Sequence, residues 1–208
     1  MLSDDSVAAI EHWWAADLGC TVDELRGDQL VVTRQDGRSV FVLATRVGVV
    51  SVPARVDAQR VIGPAFIGYA DASSYRSDGS GARARILDGA GERSAIDELR
   101  AAVSAVEWEH GGAAKADAYA GVFEGARLAA LASYERWGER IAHISVVAHP
   151  AHRSRGHGRA AVDALAAAAI ARGLIAQYRT LMANAPSMAI AQRLGFERWA
   201  ISLAVRLD

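Results

Sequence analysis

Apolar positions recur every three to four residues at Val7, Ile10, Trp14 and Leu18, a period that predicts an amphipathic helix from Asp4 to Gly19 with Ser3 as its N-cap. Trp13 and Trp14 then read as packing residues. Two short runs, 29–33 and 39–45, flank the turn signal Gln35-Asp36-Gly37-Arg38 and predict a β-hairpin, with 47–52 as a third strand. Between residues 68 and 85 the composition shifts to Gly, Ser, Asp and Arg without a period, which predicts a flexible connection. The helical period returns at Ile96, Leu99, Ala102, Val103 and Val106 and predicts one helix from 91 to about 110.

After that helix the period becomes two. Residues 119–124 and 127–137 predict antiparallel strands joined at Glu124-Gly125, and 140–148 a further strand that Pro150 closes. A loop to Gly158 leads into a helix whose face carries Val162, Leu165 and Ala169 and which stops at Gly173. Residues 175–182 predict a strand, 186–194 a short helix with Asn184 near its N-cap, and 199–207 a final strand. This order divides the chain into a small N-terminal α+β unit, 1–85, and a second unit, 86–208.

The 208 residues, 51% hydrophobic, are enough for a well-filled core, and a net charge of −1 provides no general field for nucleic acid or anionic lipid. Neither partner is expected. The single cysteine, Cys20, forms no intramolecular disulfide, and no Cys/His cluster has metal spacing, so no metal is expected and a reducing, cytoplasmic location fits. The start of the chain has no basic segment followed by an apolar run, and the longest nearly apolar stretch, 160–171, is too short to span a bilayer.

Positive charge is local instead. Residues 141–196 hold six arginines against Asp163, a net +5, and three of them lie in Arg153-Ser154-Arg155-Gly156-His157-Gly158-Arg159, between a predicted strand and a predicted helix N-terminus. Two glycines there let backbone N–H groups approach an anion, which makes the loop a candidate pyrophosphate cradle. The P-loop pattern G-x-x-x-x-G-K-[ST] is absent, and the dinucleotide fingerprint lacks its acidic ribose-binding residue and βαβ context.

The run from Val146 to Gly158 resembles motif A of the GNAT superfamily of acyl-CoA-dependent N-acyltransferases, R/Q-x-x-G-x-G/A after a strand. Asn184-Ala185-Pro186-Ser187 through Leu194-Gly195-Phe196 resembles its motif B, N-x-x-S/A…L-G-F. The resemblance covers about 91–208 and is nearest the FR47-like branch. The fold it implies is α+β with α/β/α-type layers: a GNAT-like mixed, mostly antiparallel sheet with splayed central strands, plus the small N-terminal α+β subdomain. It further implies that Arg153, Ser154, Arg155, Gly156, His157, Gly158 and Arg159 bind the CoA pyrophosphate. Val146, Val147 and Ala148 would line the pantetheine arm, with an oxyanion-stabilising N–H near Val147. Asn184 and Ser187 would lie near the pantetheine and the sulfur, and acetyl-CoA is the implied cosubstrate. The tyrosine that many members carry on the motif B helix corresponds to Ala191, so that either Ser187, Tyr178 or water protonates the thiolate or the thiolate leaves unassisted.

Attack by an amine needs a proton acceptor, and His143 is the first candidate, with Glu107 and Glu109, either side of Trp108, as alternatives. Residues 88–109 hold six acids against two arginines, which suits a small cationic amine as acceptor. A protein or peptide acceptor and a catalytically weak CoA-binding module are the other readings. For the N-terminal unit, a degenerate half of a duplicated fold, a lid and a homodimer contact all stay open.

Overall fold

The computed structural model describes residues 1–27, 31–34, 39–44, 49–52, 58–88, 90–111 and 116–207, and it describes the side chains of 31–62 and 205–207 no further than their backbone. The hairpin turn at 35–38 lies outside the described residues. Helix α1 (Asp4–Leu18) starts where expected: the Ser3 hydroxyl accepts from the Ser6 N–H at 3.2 Å, and Gly19 ends the helix in the left-handed region. A short α2 (Val22–Arg26) follows, opened by a capping box in which Thr21 and Glu24 satisfy each other's N–H groups.

The strands β1 (Val31–Arg34), β2 (Ser39–Ala44), β3 (Val49–Val52), β4 (Ala58–Ala70), β5 (Arg85–Leu87), β6 (Ala118–Glu124), β7 (Arg127–Trp137), β8 (Ile141–Ala148), β9 (Ile175–Leu181) and β10 (Glu197–Leu207) form one sheet in the order β1-β3-β2-β10-β4-β9-β8-β7-β6-β5. Among the described residues, β1–β3 and β8–β9 pair in parallel and the other pairs are antiparallel. The expected hairpin between 29–33 and 39–45 is not formed. β3 pairs with both strands and lies between them, so the hairpin is β2–β3. β4 answers to no strand expected from the sequence, and it carries Gly63-Pro64, a pair unusual inside a strand. The sheet accommodates it with a register shift against β10 between Ser202 and Ala204, opposite those two residues. Strands from both sides of residue 85 therefore hydrogen-bond in a single sheet.

Two further readings are corrected. The helix expected over 91–110 is broken into α3 (Arg93–Ala102) and α4 (Ala105–Gly111). Ser104 and Glu107 exchange capping bonds, the hydroxyl accepting from the Glu107 N–H and the carboxylate from the Ser104 N–H, both at 3.2 Å. Val106 consequently leaves the apolar face and is 55% exposed. The stretch 68–85, expected to be a flexible connection, is tied down by two carboxylates. Asp71 accepts from Ser3, Ser73 and Ser74, and buried Asp163 accepts from Tyr75, from Ser77 at 3.0 Å and from the Gly81 N–H at 2.7 Å.

Helix α5 (His157–Ala171) covers one face of the sheet, packing Val162, Leu165 and Ala169 on Ala142, Ile144 and Tyr178, and α6 (Ala185–Arg193) lies beside it. The other face takes α1, through Ile10, Trp14 and Leu18 on Tyr69, Ile141 and Ile175. α3 and α4 cover the rest of that face, through Leu99 and Trp108 on Leu131 and Val147. These layers follow the alternation of β8, which sends Ile141 and Val147 to one side and Ala142 and Ile144 to the other. No helix among the described residues is long and apolar enough to cross a membrane.

Candidate active site

β8 and β9 pair from Ile141↔Ile175 to Ile144↔Tyr178, and there the ladder stops. Beyond that rung β8 continues to Ala148 paired with β7, while β9 continues to Leu181 paired with β4. Because N–H and C=O groups alternate sides along a strand, the edge of β8 over Ser145–Ala148 presents polar groups toward the opening. Val146 lies at this edge. A Cβ on Gly111, at the end of α4, would come 2.5 Å from the Val146 carbonyl oxygen, and one on Gly158 would touch the Val146 side chain and Ile190.

The loop expected to hold a phosphate follows at once. A 3-10 turn (Pro150–His152) is capped by His149, whose Nδ1 accepts from the Ala151 N–H at 3.2 Å. Ser154 and Gly156 are both left-handed, at φ 63° and 78°, and no side chain caps α5, so its first N–H groups have no side-chain acceptor. The side chains divide. Arg153 donates to Glu107 at 2.7 Å, Arg159 Nε lies 3.0 Å from Asp78 and buried His157 Nε2 lies 3.0 Å from Glu124, whereas Arg155 is exposed. Arg83, from outside the motif, also reaches the loop and donates to the Gly156 carbonyl at 3.2 Å.

On the α6 side of the opening, Asn184 is the N-cap, its Oδ1 accepting from the Ser187 N–H at 3.3 Å. The Ser187 hydroxyl lies 2.8 Å from the Tyr178 hydroxyl. Burial pushes Tyr178 up to about 12, outweighing the Ser187 bond that favours its ionised form. Ala191 is fully buried in the core under α5 and α6.

His143 points to the opposite face. Its Nδ1 lies 2.6 Å from Gln177 Oε1, and its ring stacks on Trp137 with centroids 4.0 Å apart. Burial holds the imidazole down to about 4, the Gln177 hydrogen bond opposing that shift and Arg179 adding to it. Beside it, a cavity of about 500 Å³ is lined by Trp13, Trp14, Asp17, Arg136, Trp137, Gly138 and Arg179. Burial raises Asp17 and lowers Arg179. Glu107 is occupied otherwise: hydrogen bonds from Ser104, with Arg153 beside it, hold its carboxyl below the usual range. Glu109 is exposed, and the ring of Trp108 between them carries the Arg100 guanidinium at 5.8 Å. The acid surplus of 88–109 is thus partly met by cations, Arg153 on Glu107 and Arg85 on Glu92.

Sequence reasoning missed Gln177, Tyr69 and Arg83. The first carried a legible signal, since alternation in β9 puts Gln177 on the same face as Ile175, and a polar residue at an inward strand position has to find partners. Among the described residues no group of three or more His, Cys, Asp or Glu is placed to hold a metal.

A family model for acetyltransferases of the GNAT family matches residues 87–196, just over half of the chain. Among solved structures, a GNAT-family protein from Novosphingobium aromaticivorans aligns with a TM-score of 0.57 at 23% identity, over 85% of this chain and 77% of its own. A GCN5-related N-acetyltransferase from Kribbella flavida gives 0.54 at 14%, over 73% and 60%. An acetyltransferase from the GNAT family from Colwellia psychrerythraea gives 0.52 at 12%, over 73% and 58%. This chain therefore spans less than two thirds of the length of the last two, and at these identities the likeness is one of fold. No curated protein matches the sequence. A parallel pair that parts after Ile144, a glycine-bearing loop running into an uncapped helix, and a family model that spans both agree with one another, and the chain belongs to the GNAT family of acetyltransferases.

Proposed function

We propose that the protein transfers an acetyl group from acetyl-CoA to the primary amine of a small molecule, by direct attack with both substrates bound. The observation that carries this reading is the opening of the sheet after Ile144↔Tyr178 directly beside the left-handed loop 153–156 and the uncapped start of α5. The residues fit the cosubstrate. N–H groups of Gly156 to Arg159 suit a pyrophosphate, with Arg155 and Arg83 as side-chain cations, while Arg153, Arg159 and His157 serve through backbone and support, being paired to Glu107, Asp78 and Glu124. The open edge of β8 at Val146, Val147 and Ala148 suits an extended amide-bearing arm, as an added strand would. Bound acetyl-CoA supplies an acyl group activated as a thioester.

The chain's own residues do the rest. His143 is neutral at pH 7 and accepts the amine's proton as the C–N bond forms, which spares the nitrogen a full positive charge. An N–H near Val147 stabilises the charge developing on the carbonyl oxygen. The C–S bond breaks to give the CoA thiolate, toward which the Ser187 hydroxyl, paired with Tyr178 in place of the tyrosine absent at Ala191, donates a hydrogen bond, and water supplies the thiol's proton. Likeness of residues 91–208 to the FR47-like branch and a cationic acceptor, drawn to the acids of 88–109, are the finer parts of the proposal.

The test is thiol release from acetyl-CoA with aminoglycosides, polyamines, amino acids, arylamines and lysine peptides, alongside Gly156→Glu. Release with one small-amine class, lost in the variant, is the expected result. Turnover on lysine peptides alone would give the protein-acceptor reading, and acetyl-CoA binding without turnover on any amine would give the CoA-binding module that Ala191 favours.

A further inference from the structure

The side chains on the α1 face line up across three adjacent strands: Tyr69 on β4 is paired with Gln177 on β9, and Gln177 with His143 on β8. Their polar atoms form a chain. Trp14 Nε1 donates to the Tyr69 oxygen at 2.7 Å, Gln177 Nε2 donates to the same oxygen at 2.5 Å, and Gln177 Oε1 faces His143 Nδ1 at 2.6 Å. Tyr69 and Gln177 are fully buried, so each of these groups depends on its protein partners.

The chain has a direction set at Gln177, whose Nε2 faces Tyr69 and whose Oε1 faces His143. An indole N–H only donates, so the Tyr69 oxygen is an acceptor at that end. With its second lone pair taken by the Gln177 amide nitrogen, the amide turns its oxygen toward the histidine. An amide oxygen cannot donate. The proton of that last bond therefore sits on His143 Nδ1, and a neutral imidazole with Nδ1–H has its lone pair on Nε2. Trp137, stacked on the ring, holds the plane in which that lone pair lies.

We propose that Trp14 and Tyr69, both outside the segment matched by the family model, act through Gln177 as positioning residues that fix His143 as the Nδ1–H tautomer and leave Nε2 as the proton acceptor. The mechanistic part rests on His143 being the base, as set out above; the tautomer does not. This gives the N-terminal segment a part in the chemistry: α1 and β4 supply the far half of the support for a residue on β8. The charged and titratable groups around His143 are Arg179 on β9, Asp17 on α1, Tyr69 on β4 and, at the facing register position on β7, Glu135.

Long-range proton–nitrogen correlation spectra of the full chain with labelled histidine read the tautomer directly, the His143 signals being those lost in His143→Asn. Wild type is expected to show Nδ1–H. Tyr69→Phe removes one oxygen and is expected to let the amide turn over, so that Nε2–H appears and kcat falls about tenfold, a fraction of what a general base contributes, with KM for acetyl-CoA unchanged. Adding Gln177→Glu, whose carboxylate only accepts, is expected to restore Nδ1–H and to move the acid limb of kcat/KM to higher pH. An Nε2–H tautomer in wild type, with the Tyr69 hydroxyl donating to Gln177, would overturn the proposal. So would a tautomer and kcat both indifferent to Tyr69→Phe. If His143→Asn keeps full acetyl transfer, the base assignment fails while the spectra still decide the tautomer. Should Tyr69→Phe not fold, Gln177→Glu alone carries the test, since unchanged spectra and an unchanged pH profile would refute the coupling.

Discussion

Acid should destabilise this protein through His143 before it reaches the carboxylates. The folded state holds that imidazole down to about 4, because burial penalises the cation, whereas the unfolded chain titrates at the ordinary histidine value of about 6.5. Above pH 6.5 both states are neutral there and the residue costs nothing. As pH falls from 6.5 toward 4 the unfolded chain binds a proton that the folded one refuses, and stability drops. The difference amounts to about 2 kcal/mol at pH 5 and about 3 kcal/mol at pH 4. Urea unfolding at pH 7, 6, 5 and 4 on wild type and on His143→Asn measures it, the variant cancelling the contributions of the other five histidines. Asp71 does not intrude, since hydrogen bonds from Ser3, Ser6 and Ser73 outweigh its burial and keep it ionised through this range. Wild type should lose about 3 kcal/mol more than the variant between pH 7 and 4. Equal losses in the two proteins would mean that His143 accepts a proton in the folded state as readily as in water, and the argument for a buried neutral acceptor would fall.

Three other outcomes are expected. Asp163→Ala leaves the Ser77 hydroxyl and the Gly81 N–H without their acceptor and leaves the Tyr75 hydroxyl only the backbone carbonyl of residue 163, and thermal unfolding should show a loss of about 2–4 kcal/mol. Ser187→Ala and Tyr178→Phe should each lower kcat for thiol release while acetyl-CoA affinity, by calorimetry, stays within about twofold, and the double variant should be no worse than the poorer single one, because the two hydroxyls form one unit. Ser104→Ala removes the cap of α4 and should cost about 1 kcal/mol, seen as faster amide exchange at Glu107 and Trp108 while the rest of the sheet is unchanged.

What could be read from sequence was local. Ser3 and Gly19 bracket α1, Asn184 and Gly195 bracket α6, and Gly173 ends α5, because caps and left-handed glycines act within a turn of the residues they control, while α5 itself starts at His157, inside the loop expected to run to Gly158. The loop 153–159 was legible for the same reason. Ser104 shows that even a local signal loses to a stronger pattern: Ser104-x-x-Glu107 is a capping box, but the apolar period from Ile96 to Val106 runs through it. Pairings were not legible. Nothing near β1 says that its neighbour is β3 rather than β2, and nothing near Gly63-Pro64 says that β10 will take up the irregularity. The support of His143 was hidden in the same way, since Trp14, Tyr69 and Gln177 stand 55 and 108 residues apart and meet only across the sheet.

The position of β4 has a consequence for how the chain comes to be folded. Its two hydrogen-bonding neighbours are β9 and β10, more than a hundred residues later in the chain, and the apolar side of α1 rests on Ile141 and Ile175. As the polypeptide leaves the ribosome, a thirteen-residue strand, apolar from Val61 on, and a tryptophan-bearing helix must wait for most of the protein to be made before either is covered. During that interval the segment Val61-Ile62-Gly63-Pro64-Ala65-Phe66-Ile67 offers two open edges, and its glycine and proline, awkward in the finished sheet, keep the waiting strand from recruiting a neighbour of its own kind.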